Sequence, residues 1–379
     1  MRRLLILPLS LAIAACADNS STAPANLSDE LSLTLGLGHG SAGALYIQTN
    51  DAAGNAVLMI PRGADGSLGV PQSVPTGGLG TGGGLGNQGA VALAKDGRTL
   101  YVVNAGSDEI SVFRVTTRGL EHAGNVASGG DMPISIALQG HLLYVLNDGA
   151  APNVTGFQVD GLGGLHPLAG STRPLSAAVP DAAQVGISPD GRKLVVTEKA
   201  TNLIVGWDIA GTGLLVNRTL TPSSSPTPFG FDFGHRNALL VTEAVGGAPD
   251  AGVLSSYGAG AGGWTAVSPS VATTETAACW VVVTPNGRYA YVTNTGSASV
   301  SGYKVGPDGS LELLDADGKT GDTGATPVDA ATSHNGRFLY TLNAGADGIS
   351  AFRIRADGSL EHIGDTSGLP DRANGLAAR

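Results

Sequence analysis

One stretch recurs seven times along the chain, a short aromatic or aliphatic run that closes on a polar residue. It reads LYIQTN at 45–50, LYVVN at 100–104, LYVLN at 143–147 and LVVTE at 194–198. It continues as LLVTE at 239–243, AYVTN at 290–294 and LYTLN at 339–343. Successive closing residues lie 54, 43, 51, 45, 51 and 49 positions apart. A near-constant period in this range marks a repeat architecture, in which each unit buries its apolar face only against its neighbours.

Residues 90–128 show one unit most clearly. AVALA, TLYVVN, EISVFRV and LEHAGNVAS read as four strands, separated by KDGR, NAGSDE and TTRG turns. Runs of β-branched and aromatic residues between Gly, Asp and Asn clusters are the hairpin signal. Asp-Gly and Asn-Gly accept the positive φ of tight hairpin turns at little cost. The first turn returns as PDGR (189–192), PNGR (285–288) and HNGR (334–337). The third-to-fourth turn returns as ADGSL (64–68), GGL (163–165), PDGSL (307–311) and ADGSL (356–360). Third strands share an aromatic column of Phe113, Phe157, Trp207, Tyr257, Tyr303 and Phe352, the material for packing between neighbouring sheets. Four antiparallel strands repeated seven times predict an all-β chain folded as a seven-bladed β-propeller. The first unit lacks a clear innermost strand ahead of Ala44. Two segments compete for that slot, SLTLGL at 32–37 and NGLAAR at 374–379. Spacing after the last fourth strand favours the C-terminal one, which closes the first blade and leaves no open edge.

Composition agrees. Glycine supplies 58 of 379 residues and only 14% are charged, against about 25% in an ordinary globular chain. The net charge of −10 and the lack of a basic cluster leave phosphate backbones nothing to hold, so nucleic acid is excluded as a partner. Two cysteines are too few for a Cys-rich metal site, and no recognisable metal or cofactor motif occurs, so neither is expected. GGLGTGGGLGNQG at 77–89 superficially suggests a phosphate-cradling loop, but no helical pattern follows it, and it reads as a connection between blades.

The chain starts with Arg2 and Arg3, an apolar run, and then small residues up to Cys16. That pattern predicts a secretory leader, which forms no part of the folded domain. Ile13-Ala14-Ala15-Cys16 resembles the bacterial lipobox, in which the cysteine is acylated; plain cleavage after a small-residue site is the competing reading. The expected organisation is a signal peptide over 1–15, a lipidated N-terminus and flexible tether over 16–43, and the propeller over 44–379. This places a monomer at the bacterial cell envelope, membrane-anchored through Cys16 and facing the periplasm or the exterior.

Through LYVVN, AYVTN, SPDGR and ISVFRV, residues 44–379 resemble the seven-bladed lactonase family of YVTN-type repeats, which includes 6-phosphogluconolactonase-like and carboxymuconate cyclase-like proteins. The resemblance implies hydrolysis of a lactone, or a related cyclase reaction. In active members an Asn-Glu and an Asn-Arg-Gly after second strands are associated with the site. This chain departs from both: Asn294 is followed by Thr295-Gly296 and Asn104 by Ala105-Gly106, while Glu198 and Glu243 align with the asparagine itself.

In a propeller the second strand's end and the loop leading into the first strand share one face, near the central channel. Glu198 and Glu243, on adjacent blades, are the candidate general bases there, with solvated rim carboxylates as the alternative. Arg173 and Lys199 are the candidate cations for a developing oxyanion. Gln184, Phe229, Trp280 and Asp329, at the starts of first strands, are the candidate ligand-binding residues, with packing of the channel mouth as the alternative for the two aromatics. Two functions stay open: a lactonase acting on, or binding, a small anionic or cyclic ester ligand, and a non-catalytic propeller holding an envelope protein or glycan. A deep pocket favours the first and a plugged channel the second.

Overall fold

A computed structural model describes residues 42–260 and 262–379; the expected leader, the expected acylation at Cys16 and the expected tether up to residue 41 lie outside the described residues. Seven antiparallel sheets follow one another in chain order, five of four strands and two, blades 3 and 6, of five, because their outermost strand is split into two short pieces. The second strands are the recurring motif: Gly43–Gln48, Thr99–Asn104, Leu142–Asn147, Lys193–Glu198, Leu239–Glu243, Tyr289–Asn294 and Phe338–Asn343, in blades 1 to 7. The innermost strands of blades 2 to 7 are Val91–Leu93, Pro133–Gln139, Ala182–Ile187, Pro228–Phe233, Ala278–Val283 and Pro327–Thr332. Blade 1 takes its innermost strand, Asn374–Ala378, from the far end of the sequence, paired antiparallel with Gly43–Gln48. The innermost strands touch in a closed cycle, blade 7 meeting blade 1 as the others meet their neighbours. Arg62 reinforces the seam, its Nε and Nη2 donating to the Arg379 carbonyl oxygen at 3.1 and 2.9 Å.

The core is a set of wedges, one cluster of buried apolar side chains per junction between blades. Each member of the third-strand aromatic column packs against the blade before it; Phe157 meets Tyr101 and Trp207 meets Tyr144. The motif tyrosine does a second job. Tyr101, Tyr144, Tyr291 and Tyr340 donate their hydroxyls to Gly163, Gly213, Gly358 and Gly66 carbonyls in the outer turn of the next blade, at 2.9, 2.5, 2.7 and 3.0 Å. Those glycines hold φ between 82° and 96°, and a Cβ at Gly66 would stand 2.4 Å from the Phe338 ring. Only glycine fits there. The tyrosine of the motif and the Asp-Gly turn are therefore two halves of one inter-blade joint.

Inner strands of blades 3 to 7 carry a bulge near their start, where the register slips against the second strand. A bulge re-aims the side chain beside it. The residue after the bulge in blades 4 and 7 reaches sideways to the next blade: Gln184 Oε1 accepts Phe231 N–H at 2.6 Å, and Asp329 Oδ2 accepts Leu376 N–H at 2.9 Å.

Candidate functional site

Side chains alternate along a strand, so the last residue of a second strand and the one after it face different ways. The closing residue points into its own blade. Asn104 and Asn294 donate from Nδ2 to Ser111 and Ser301 Oγ on the third strand, at 2.7 and 2.8 Å. Glu198 and Glu243 occupy the same place, fully buried. Glu198 accepts hydrogen bonds from Ser176 N–H at 2.9 Å, from the Ser176 hydroxyl, and from Thr201 Oγ1 at 2.7 Å. Glu243 accepts from Ser223 Oγ, Ser255 Oγ, Tyr257 OH and Ser225 N–H at 2.7, 2.6, 2.9 and 3.3 Å. Burial pushes the Glu243 carboxyl up, while its hydroxyl donors pull it down. Neither is a solvated rim carboxylate. A carboxylate accepts where an asparagine both gives and accepts, so these two blades surround it with serine and threonine donors.

Arg173 does not join either glutamate. Its Nε donates to Leu215 O at 3.0 Å and its Nη1 to Gly170 O and Thr172 O at 2.8 and 2.9 Å, at the outer edge of blades 3 and 4.

The residue after the closing position looks towards the mouth of the channel. Lys199, only 5% exposed, donates from Nζ to Gly86 O at 2.8 Å and Ala182 O at 3.1 Å, and pairs with Asp181 Oδ1 at 3.1 Å. The ammonium also stands 4.7 Å from the centre of the Phe229 ring, which packs on Trp280 with centroids 5.0 Å apart. Desolvation draws the Lys199 ammonium below its usual range, opposed by Asp181 and Asp148. Asp148 occupies the corresponding position in blade 3, after Asn147. Its Oδ1 accepts Ala182 N–H at 3.3 Å, and burial pushes the carboxyl up to about 6. Lys199, Phe229 and Trp280 thus come together, joined by Asp148 and Asp181. Gln184 and Asp329 spend their polar groups on neighbouring blades, and burial holds Asp329 at about 8.

Residues 77–89 do connect blades 1 and 2, by way of the axis. Asn87 O accepts Trp280 Nε1–H from blade 6 at 2.7 Å, and its amide nitrogen donates to Ile134 O of blade 3. Gln88 donates from N to Ala183 O of blade 4 and from Nε2 to Val281 O of blade 6, at 3.1 and 3.2 Å. A Cβ at Gly230 would lie 2.9 Å from the Cys279 carbonyl oxygen of blade 6 as well as 2.3 Å from Gln88 Oε1, so glycine suits the close approach of blades 5 and 6 beside the loop. Between this loop, Trp280 and Arg372 a crevice of only about 10 Å³ remains, the size of one water.

The sequence profile described as lactonase, 7-bladed beta-propeller, matches residues 55–174 and 276–369. The chain belongs to this lactonase family. Among solved structures the family member is similar to the periplasmic gluconolactonase of Pseudomonas aeruginosa, at 20% identity and a TM-score of 0.70, over 89% of this chain and 98% of that one. It is similar to a Lactobacillus plantarum protein at 16% identity and TM-score 0.70, over 89% and 99%. A Bacteroides fragilis protein provisionally described as a 6-phosphogluconolactonase aligns at 17% identity and TM-score 0.67, over 89% and 98%. At these identities the likeness is one of fold. No curated protein matches significantly. This lactonase-family chain carries Lys199 and Asp148 one residue beyond the closing position, where active members carry the glutamate of Asn-Glu. Asn147-Asp148 was the signal in the sequence: an acid directly after the motif asparagine.

Proposed function

We propose that this lactonase-family propeller hydrolyses a small lactone at the channel mouth, in the bacterial envelope, with Asp148 as general base and Lys199 as electrophile. The observation that carries the reading is the meeting of Asp148, Asp181 and Lys199 around Ala182, beside the Phe229–Trp280 pair. A carboxyl near 6 is ionised at neutral pH yet basic enough to take a proton from water as the water oxygen adds to the lactone carbonyl. The Lys199 ammonium, kept charged by Asp181, receives the developing oxyanion. Collapse breaks the ring C–O bond, and the proton held by Asp148 passes to the departing ring oxygen, giving the hydroxy acid. Lys199 spends its hydrogen bonds on Gly86, Ala182 and Asp181, so substrate gains a donor only when the 77–89 loop lifts and carries the Gly86 carbonyl away from Nζ. Loop displacement is then part of each turnover. The leader sequence and the periplasmic origin of one structural neighbour support the location, and acylation at Cys16 supplies the anchor.

The closed mouth favours a second reading, a propeller that binds an envelope protein or glycan on its rim without catalysis. One experiment separates them: pH-stat hydrolysis of a lactone panel by wild type, Asp148→Asn and Lys199→Met, with melting curves beside each. The lactonase reading expects turnover that rises through pH 6 and falls by about 10²–10⁴ in Asp148→Asn while the fold persists. A flat panel, or full activity in Asp148→Asn, overturns it.

A further inference from the structure

On the face opposite the mouth, a groove of about 1090 Å³ opens across blades 1, 2 and 3. Two shortened hairpins make the space. The outer turn of blade 2 passes from Thr116 to Gly119, where blades 6 and 7 run from Val305 to Leu311 and from Ile354 to Leu360. The first turn of blade 3 has only Gly140 and His141 between its strands. The same shortening removes a partner: Tyr46 of blade 1 is fully buried, but its hydroxyl lacks the glycine carbonyl that the other motif tyrosines use. The Arg379 guanidinium stands beside it.

We propose that this groove binds a small organic polyanion bearing phosphate or carboxylate groups and an apolar portion. Lys95, Arg98, Arg114 and Arg379 line it, and among the described residues none of the four is ion-paired. The two acids on the wall are already engaged. Asp96 accepts Arg98 N–H at 2.9 Å, and Asp160 accepts Leu162 N–H, Gly164 N–H and a His166 ring nitrogen, which together hold its carboxyl down at about 2. Four cations without an ion-pair partner among the described residues, gathered in one concavity, stand out on a chain whose net charge is −10. Leu162, 75% exposed at the lip, together with Leu138 and Val159 offers an apolar wall next to them. Guanidinium groups suit phosphate and carboxylate oxygens because their N–H bonds form a fixed fork. The proposal is independent of catalysis at the mouth, which lies on the other face.

The test, made in a Cys16→Ala background that carries no acyl anchor, is isothermal titration with pyrophosphate at low salt, and co-sedimentation with phosphatidylglycerol or phosphatidylcholine vesicles. Each is run on wild type, on Arg98→Ala/Arg114→Ala, and on a control, Arg288→Ala/Arg337→Ala, which removes the matching turn arginines of blades 6 and 7. The groove arginines are exposed, so the fold survives their loss. Saturable pyrophosphate binding, weakened about tenfold or more in the first variant and less than about twofold in the control, supports a soluble ligand. Binding confined to phosphatidylglycerol vesicles, with the same variant pattern, supports a lipid headgroup as the source. No saturable binding to either probe, or equal loss in both variants, overturns the proposal.

Discussion

Blades 6 and 7 are built from the repeat in full form, with Tyr291 and Asn294, then Tyr340 and Asn343; blades 4 and 5 put Val195 and Leu240 at the tyrosine position and Glu198 and Glu243 at the asparagine. The family profile covers the first pair and stops short of the second, between residues 174 and 276. Both pairs nevertheless make equivalent blades. Tyr291 and Tyr340 latch onto Gly358 and Gly66, while in blade 5 it is Ser256 Oγ that donates to the matching carbonyl, Gly309 O of blade 6, at 2.6 Å. Where blade 4 lacks the tyrosine ring, Phe231 of blade 5 fills the volume, and a Cβ on Gly186 would come within 2.5 Å of it. A propeller joint needs a donor for the turn carbonyl and enough apolar volume. The repeat motif is one way of supplying both.

Converting one kind of blade into the other breaks or sharpens this comparison. The largest change comes from Asp329→Asn, which gives blade 7 an amide where blade 4 has Gln184. Burial raises the Asp329 carboxyl to about 8, above the usual value of 3.8. The folded state therefore binds this proton more tightly, and the contribution is complete in acid and lost as pH rises towards 8. Urea titrations should show the wild type losing stability over pH 5–8 by on the order of 2–4 kcal/mol more than Asp329→Asn. Parallel pH curves would show that Asp329 is solvated. Next is Glu243→Gln, which gives blade 5 an amide like that of blade 6. It puts an NH₂ among the donors of Ser223, Ser225, Ser255 and Tyr257, and should cost about 1–3 kcal/mol in the same measurement. An unchanged denaturation midpoint, with loss of lactone turnover, would restore Glu243 as a catalytic candidate. Smallest is Tyr340→Phe, which strips blade 7 of its latch and orphans the Gly66 carbonyl, at about 1 kcal/mol. No loss there would mean that packing alone holds the joint.

The ring was readable because its signals are local and repeated. Strand alternation, Asp-Gly turns and a conspicuous period need no knowledge of distant contacts, and the assignment of 374–379 to blade 1 followed from spacing. The site was harder for two physical reasons. One residue of register decides whether a side chain enters its blade, as Glu198 and Glu243 do, or meets the loop at the mouth, as Lys199 does, and the sequence pattern does not mark that step. The other reason is the 77–89 loop. A glycine-rich stretch carries no periodicity, and nothing in its composition says that Asn87 and Gln88 will cross the axis to blades 3, 4 and 6. Loop position alone says nothing of where the Arg173 guanidinium goes, and it follows the nearest carbonyls, those of Leu215, Gly170 and Thr172.

The strand borrowed by blade 1 also sets the order of events when the chain folds. Residues 43–75 can form three strands at once, but the edge of Gly43–Gln48 stays unpaired until residues 374–378 arrive, and Gln48 and Asn374 are 326 positions apart. Contacts of such separation form late, because the intervening chain must be ordered first. Until then the nascent ring is an open crescent with a hydrophobic strand edge at one end, a template for pairing with another chain. Recruiting the last strand thus ends the protein's period of greatest exposure to aggregation.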